Sequence, residues 1–332
     1  MKIRHIFLFC LVILLAFSVS SQAHSNSKQN KDGWPFQVRF MAGPQGGNWF
    51  ALGSSLAAIW SKDVLTTHSN AGGGVSNILN ANARKGDMGF SVSSFLSAAL
   101  RGEEEFKGTE VSNAVIMANL YTQVTYFIVA RDFAEKNNIR TVGDLIKMPK
   151  VRFATLKPGT ASEFAVKALF SIGYDTSFVQ LKEKGWGIEY ATYEGGADLL
   201  ADNRIDCFVF SVGGAASIVK NIESKVDVNI LAVEQNALDA MADAYGTTAY
   251  TIAPGIFASV QRPIQTLGDY TCIVIRKDLP ESLVFELNKS LWNNKASLVE
   301  TVTDMRELSP AIAVPEGIPC HPGSVKFWNS LK

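Results

Sequence analysis

The chain has 332 residues, 47% of them hydrophobic and 19% charged, with 31 Lys+Arg against 31 Asp+Glu. Such a composition supplies a packed core and is unlike that of a disordered chain. A balanced charge with no block of Lys or Arg lacks the electrostatic footprint of a nucleic-acid binder, and about 300 residues usually divide into two domains.

Residues 1–23 read as a secretory signal peptide. Lys2 and Arg4 precede an apolar run over residues 6–17, and Ser21-Gln22-Ala23 forms a small-x-small cleavage site. Cleavage there would leave residues 24–332 with a net charge of about −2. No later apolar run approaches the roughly 20 residues that span a bilayer, so an exported, soluble chain is expected. Three cysteines would remain, Cys207, Cys272 and Cys320. Cys207 and Cys272 sit in apolar strand-like runs, where cysteine behaves as a small hydrophobe; a Cys272–Cys320 bridge is open.

Residues 24–33 form a polar leader. From Trp34, short apolar runs alternate with helical patterns, the signature of an α/β chain. A strand over 36–42 runs into Gly43-Pro-Gln-Gly-Gly-Asn48 and a helix over 49–62, with Asn48 suited to cap it. A strand over 66–69 is followed by Ala71-Gly-Gly-Gly-Val-Ser76 and a helix to Arg84. Then come a strand over 88–93, a short helix over 95–101, and two strands over 111–120 and 124–130. Thr141-Val-Gly-Asp144 fits a capping box. A strand over 150–156 leads through Lys157-Pro-Gly-Thr160 to a helix over 161–172, where Thr160 and Glu163 match a second box. The alternation continues to residue 233. Helices are predicted over 236–245, 281–293 and 324–331, and a strand over 270–275.

Catalytic motifs are missing. There is no nucleophile elbow, no Walker loop and no zinc-protease helix. His68 and His321 are far apart and there is no C-x-x-C, so neither a zinc site nor a His base is indicated. Ser217-Ile-Val-Lys220 matches S-x-x-K, but its partner motifs are absent, and Glu103-Glu-Glu105 reads as a solvated loop face. What recurs is a glycine-containing turn between a strand and a helix, at residues 43–48, 72–74, 158–162 and 212–214. Backbone N–H groups at a helix start, with the helix dipole, suit a carboxylate or other small anion. In open α/β sheets such turns gather where ligands bind. One such turn means little; four in one motif-poor chain point to a binding cleft. Trp49, Phe50, Tyr121, Tyr193 and Phe210 lie beside these turns as pocket walls or core, and Lys157 adds a charge near one of them.

In order, Gly46-Gly-Asn-Trp-Phe-Ala-Leu-Gly53, Gly73-Gly-Val-Ser-Asn77, Thr141-Val-Gly-Asp-Leu145, Pro158-Gly-Thr160, Asp206 after Asn203-Arg-Ile, and His321-Pro-Gly323 resemble the TAXI family. These are the solute-binding proteins of tripartite ATP-independent periplasmic (TRAP) transporters. The resemblance covers essentially the whole mature chain. It implies a type II periplasmic-binding-protein fold: two α/β lobes, a hinge and an interlobe ligand cleft. Lobe one would comprise residues 34–123 plus 269–332, and lobe two residues 124–268. It implies a periplasmic, monomeric receptor without cofactor, metal or catalytic residues, which captures a small organic anion, a carboxylate or an amino acid such as glutamate. The solute would pass to the membrane subunits of the transporter. A ligand-binding sensory module and a secreted enzyme on the same fold are the alternatives.

Carried over by position, Gly47, Asn48 and Trp49 would line the cleft from the first loop, and Gly74, Val75 and Asn77 from the second. Ser93 or Ser94 would end the third strand, and Tyr121 would lie at the hinge. Thr155, Gly159, Thr160, Ala161 and Ser162 would hold an anion at a helix start, and Val212 and Gly213 would close the far side. Where the family has paired tyrosines and a proline after its first loop, this chain has Trp49, Phe50 and Ala51; for the family's Tyr-Pro-Glu-Pro hinge it has Tyr121-Thr-Gln-Val124. No carboxylate stands out to receive an ammonium group. A carboxylate ligand with a less polar tail is therefore expected.

Overall fold

In the computed structural model the described residues are 33–332, apart from Pro44, Gly46, Gly47 and Ala215. The predicted signal peptide, nearly all of the leader, and Gly47 of the predicted site lie outside them. Trp34–Lys332 is one unit. Its strands are β1 (Val38–Met41), β2 (Thr67–Asn70), β3 (Met88–Val92), β4 (Ala114–Ala130), β5 (Arg152–Thr155), β6 (Gly187–Tyr190), β7 (Cys207–Gly213), β8 (Val228–Ile230), β9 (Thr248–Ile252) and β10 (Ile264–Arg276). The helices are α1 (Asn48–Asp63), α2 (Gly74–Asn82), α3 (Ser93–Arg101), α4 (Arg131–Lys136), α5 (Val142–Lys147), α6 (Ala161–Ala168), α7 (Phe178–Glu183), α8 (Tyr193–Ala201), α9 (Ser217–Lys225), α10 (Gln235–Tyr245), α11 (Glu281–Asn293), α12 (Lys295–Thr301), α13 (Pro310–Ala313) and α14 (Pro322–Asn329).

The strands make one mixed sheet in the order β2-β1-β3-β10-β4-β7-β5-β6, with β8 added to β4 and β9 to β10. At one flank β1 pairs in parallel with β2 and β3; at the other β5 pairs in parallel with β6 and β7. Two long antiparallel strands join the flanks. β4 has 17 residues and β10 has 13. Two separate strands are predicted where β4 runs unbroken. Tyr121-Thr-Gln interrupts the apolar pattern but holds no Gly or Pro to break a strand. Here β4 changes partner instead: Gln123 pairs with Asp269 of β10 and with Gly213 of β7. Register shifts between Thr271 and Cys272 and between Ile273 and Val274 bend the ribbon locally.

The helices follow the amphipathic pattern. Thr141 and Asp144 close the predicted capping box on α5. At α6 only half of the predicted box is made, Glu163 N–H donating to Thr160 Oγ1 at 3.3 Å, and the helix passes into a π turn at Leu169–Gly173. Asn48 is the first residue of α1 rather than its cap. One core of buried side chains, from Phe95 and Phe106 to Phe164, Phe170 and Tyr245, runs along the sheet and touches both flanks. A second lies on the β1–β3 flank around Phe40, Trp60 and Trp328. A third lies on the β5–β7 flank around Tyr126, Phe208 and Phe210. Cys207, Cys272 and Cys320 are free thiols, so the Cys272–Cys320 bridge is not formed.

Candidate functional site

Where β4 and β10 cross from one flank to the other, an apolar ribbon turns polar. Trp49, in the first turn of α1, donates its indole N–H to Thr271 Oγ1 on β10 at 3.4 Å, and Gln123 Nε2 on β4 donates to the same oxygen at 3.0 Å. Tyr121 lies against Trp49 and Thr271, and burial raises its phenol above the ordinary range, so it acts as a neutral hydroxyl. The Trp49 ring rests on Phe90 with centroids 5.8 Å apart. The structure therefore brings together two predicted residues, Trp49 and Tyr121, with two that sequence reasoning missed, Gln123 and Thr271. Asn48 is exposed at the helix start.

The other predicted residues of this flank are closely held by the protein itself. Asn77 is fully buried. Its amide donates to the carbonyls of Met41, Ala42 and Phe90 at 2.8–2.9 Å, and its Oδ1 accepts from Gly73 N–H at 3.1 Å. Gly74 begins α2 with Phe95 pressed on it: a Cβ would stand 2.8 Å from the ring. Val75 packs half-buried against the long core. Ser93 Oγ donates to Asn119 Oδ1 at 2.7 Å. Its neighbour Ser94 directs its hydroxyl and its N–H at the carboxyl of Asp269, which also accepts from Tyr270 N–H at 2.7 Å. Burial pushes Asp269 up to about 6.

On the second flank, Thr155 ends β5 fully buried, and its hydroxyl has no hydrogen-bond partner. Gly159 adopts φ +80° with open space where a side chain would be, a conformation glycine takes without cost. Thr160 caps α6 and donates to Lys157 O at 2.7 Å. Ala161 is half-buried. Ser162 ties α6 to β7, its Oγ accepting from Ser211 N–H at 2.8 Å, while Ser211 Oγ meets Thr125 Oγ1 at 2.8 Å and Tyr193 OH donates to Ser211 O at 3.0 Å. Val212 is half-buried. At Gly213 a Cβ would collide with the carboxylate of Asp304, from the turn at Thr303–Glu307. Glu307 of that turn accepts from Thr122 N–H at 2.8 Å and from its hydroxyl at 2.7 Å.

Asp269 had a signal in the sequence, an acid inside a strand-forming run. Asp304 and Glu307 had none, because residues 301–313 show no clear periodicity and their nearness to β7 is purely tertiary. Among the described residues no group of three His, Cys, Asp or Glu converges as a metal site, and no helix is long and apolar enough to cross a membrane.

The profile of the NMT1-like family matches residues 40–329. No curated protein sequence matches the chain. Among solved structures, MatC of Rhodopseudomonas palustris with bound malate aligns with TM-score 0.50 at 13% identity, over 90% of this chain and 96% of its own. The periplasmic binding protein BugD aligns with TM-score 0.50 at 15% identity, over 90% and 97%. A Xanthomonas citri protein bound to ATP aligns with TM-score 0.51 at 10% identity, over 90% and 96%. At these identities the likeness is one of fold: a mixed α/β periplasmic-binding-protein fold.

Proposed function

The chain belongs to the NMT1-like family, and we propose that it is an extracytoplasmic solute-binding receptor of the TAXI type, capturing a small organic acid for the membrane subunits of a TRAP transporter. The observation that carries this reading is the crossing itself. Two long antiparallel strands join two α/β flanks, and their apolar course gives way at the join to Tyr121, Gln123 and Thr271, with Trp49 of α1 donating to Thr271. A ribbon of two strands bends more readily than the packed flanks it connects, so it serves as a hinge. Residues 34–123 plus 269–332 then act as lobe one and residues 124–268 as lobe two, closing on the solute. Backbone N–H groups of the α6 start, with Thr155, hold its carboxylate.

Differential scanning calorimetry on ligand-stripped protein with a panel of organic acids and amino acids tests this. Binding at about 100 times Kd stabilises by roughly 2.7 kcal/mol, readily seen as a raised melting temperature. A flat response across the whole panel would overturn the receptor reading.

A further inference from the structure

The two faces of the sheet are packed differently. Successive residues of a strand point to opposite faces, and β4 sends Ile116 into the long core and Val115 into the core of the first flank. The long core passes from one flank to the other, from Phe95 and Phe106 to Phe164 and Tyr245. The buried side chains of the opposite face fall into two separate cores. One takes in Met305 and Leu308, in and beside the turn Thr303–Glu307; the other takes in Phe210 and Ala216, at the end of β7 and beyond it.

On the shared face the flanks meet along a seam. Phe95 of α3 lies against Phe164 of α6 with centroids 4.6 Å apart, and Phe164 against Tyr245 of α10 at 5.4 Å. Charges close the rim of this seam. Lys167 of α6 pairs with Glu105 at 3.3 Å and with Glu104 at 3.8 Å, both from the turn after α3. The Arg101 guanidinium stands 4.7 Å over the Tyr245 ring.

On the divided face the connection is slight. Asp304 accepts from Gly214 N–H, and its carboxylate fills the space a Cβ on Gly213 would need. Burial and the neighbouring Glu307 both act against its charge. The turn that carries it is fixed to the first flank. Lys295 Nζ donates to the carbonyls of Arg306 and Leu308 at 2.8 and 2.7 Å, and the Ser55 and Thr301 hydroxyls lie 3.2 Å apart between α1 and α12. Aromatic side chains bury roughly 150–250 Å² apiece, so parting the seam exposes a large apolar area. Parting Asp304 from Gly214 breaks one hydrogen bond and hydrates a carboxylate that burial disfavours.

On the receptor reading above, we infer that the lobes open in one direction: they turn about the Phe95–Phe164 seam, and the gap parts between Asp304 and Gly214. Asp304 is then a clasp on the mouth of the cleft, and the solute enters past it.

Pulsed electron–electron resonance on ligand-free protein tests this, in a Cys320→Ser background. One pair of spin labels, at Lys107→Cys and Ser171→Cys, spans the seam; another, at Glu300→Cys and Ser217→Cys, spans the clasp. All four positions are exposed. Asp304→Ala, which removes the clasp, should lengthen and broaden the clasp distance and leave the seam distance unchanged. Gly213→Ala, which displaces the carboxylate, should do the same. A seam distance that lengthens as much as the clasp distance, or a clasp distance unchanged in both variants, overturns the inference. Calorimetry with the panel of organic acids decides the receptor reading without reference to either pair, so the two can fail separately.

Discussion

The turn before α2 and the turn before α6 are alike in sequence, each a glycine-containing link from strand to helix, yet the structure uses them in opposite ways. At α2 the polar groups are closed on the protein. Asn77 fastens three carbonyls and Gly73 N–H, and Phe95 covers Gly74. The neighbouring α3 start is likewise occupied, by Asp269. At α6 the Thr160 hydroxyl caps the helix, the Glu163 carboxylate accepts from Gly159 N–H, and Gly159 itself faces open space. A glycine of the first kind gives clearance; one of the second kind gives a backbone conformation.

The largest effect in breaking this contrast is expected at Asn77. Asn77→Leu removes the two amide N–H donors shared among the Met41, Ala42 and Phe90 carbonyls and the acceptor of Gly73 N–H, which should lower stability by about 3–5 kcal/mol. Urea unfolding followed by fluorescence measures it, and a loss of less than about 1 kcal/mol would mean that water replaces the amide there.

Asp269 comes next. Its folded-state value of about 6 lies above the ordinary range near 4. The folded protein thus holds this proton more tightly than the unfolded chain. The stabilisation is full below about pH 4 and is lost as pH rises through 6. Asp269→Asn should therefore gain on the order of 2 kcal/mol over the wild type at pH 7.5 and about nothing at pH 4. Wild type more stable than the variant at pH 7.5 would show that the three donors hold the carboxylate ionised.

The smallest effects separate the glycines. Gly74→Ala should cost about 2 kcal/mol through overpacking, and Phe95→Leu in the same chain should recover part of it. Gly159→Ala meets no atom and should cost only about 1 kcal/mol of left-handed backbone strain. Calorimetry of the four variants checks the order; rescue of Gly159→Ala by Phe95→Leu would contradict the contrast.

Much of the fold is legible in local pattern. The capping box at Thr141 and the helix Glu281–Asn293 are read at their true positions because caps and 3.6-residue periodicity are local signals. What is not legible depends on pairing. β9 and the first half of β10 are too polar to read as strands alone, and become so by pairing with each other. The site divides in the same way. Trp49, Tyr121 and Thr160 stand out by type and place, whereas Gln123, Thr271 and Asp304 matter only through partners distant in sequence. Asn77 shows the converse: its position beside the glycines marks it for a ligand, and its amide serves the backbone instead.

The position of β10 in the sheet has a consequence for folding order. β1, β2 and β3 are made early, but β3 finds its antiparallel neighbour only in residues 271–275. Strands β5 to β8 lie wholly between the two long strands and can assemble from chain already synthesised. The amino-terminal strands must wait through most of synthesis for their partner, because closing so long a loop delays non-local pairing. The flank built from β5 to β8 is therefore poised to be complete first, and the part of the molecule that begins the chain is the last to become native.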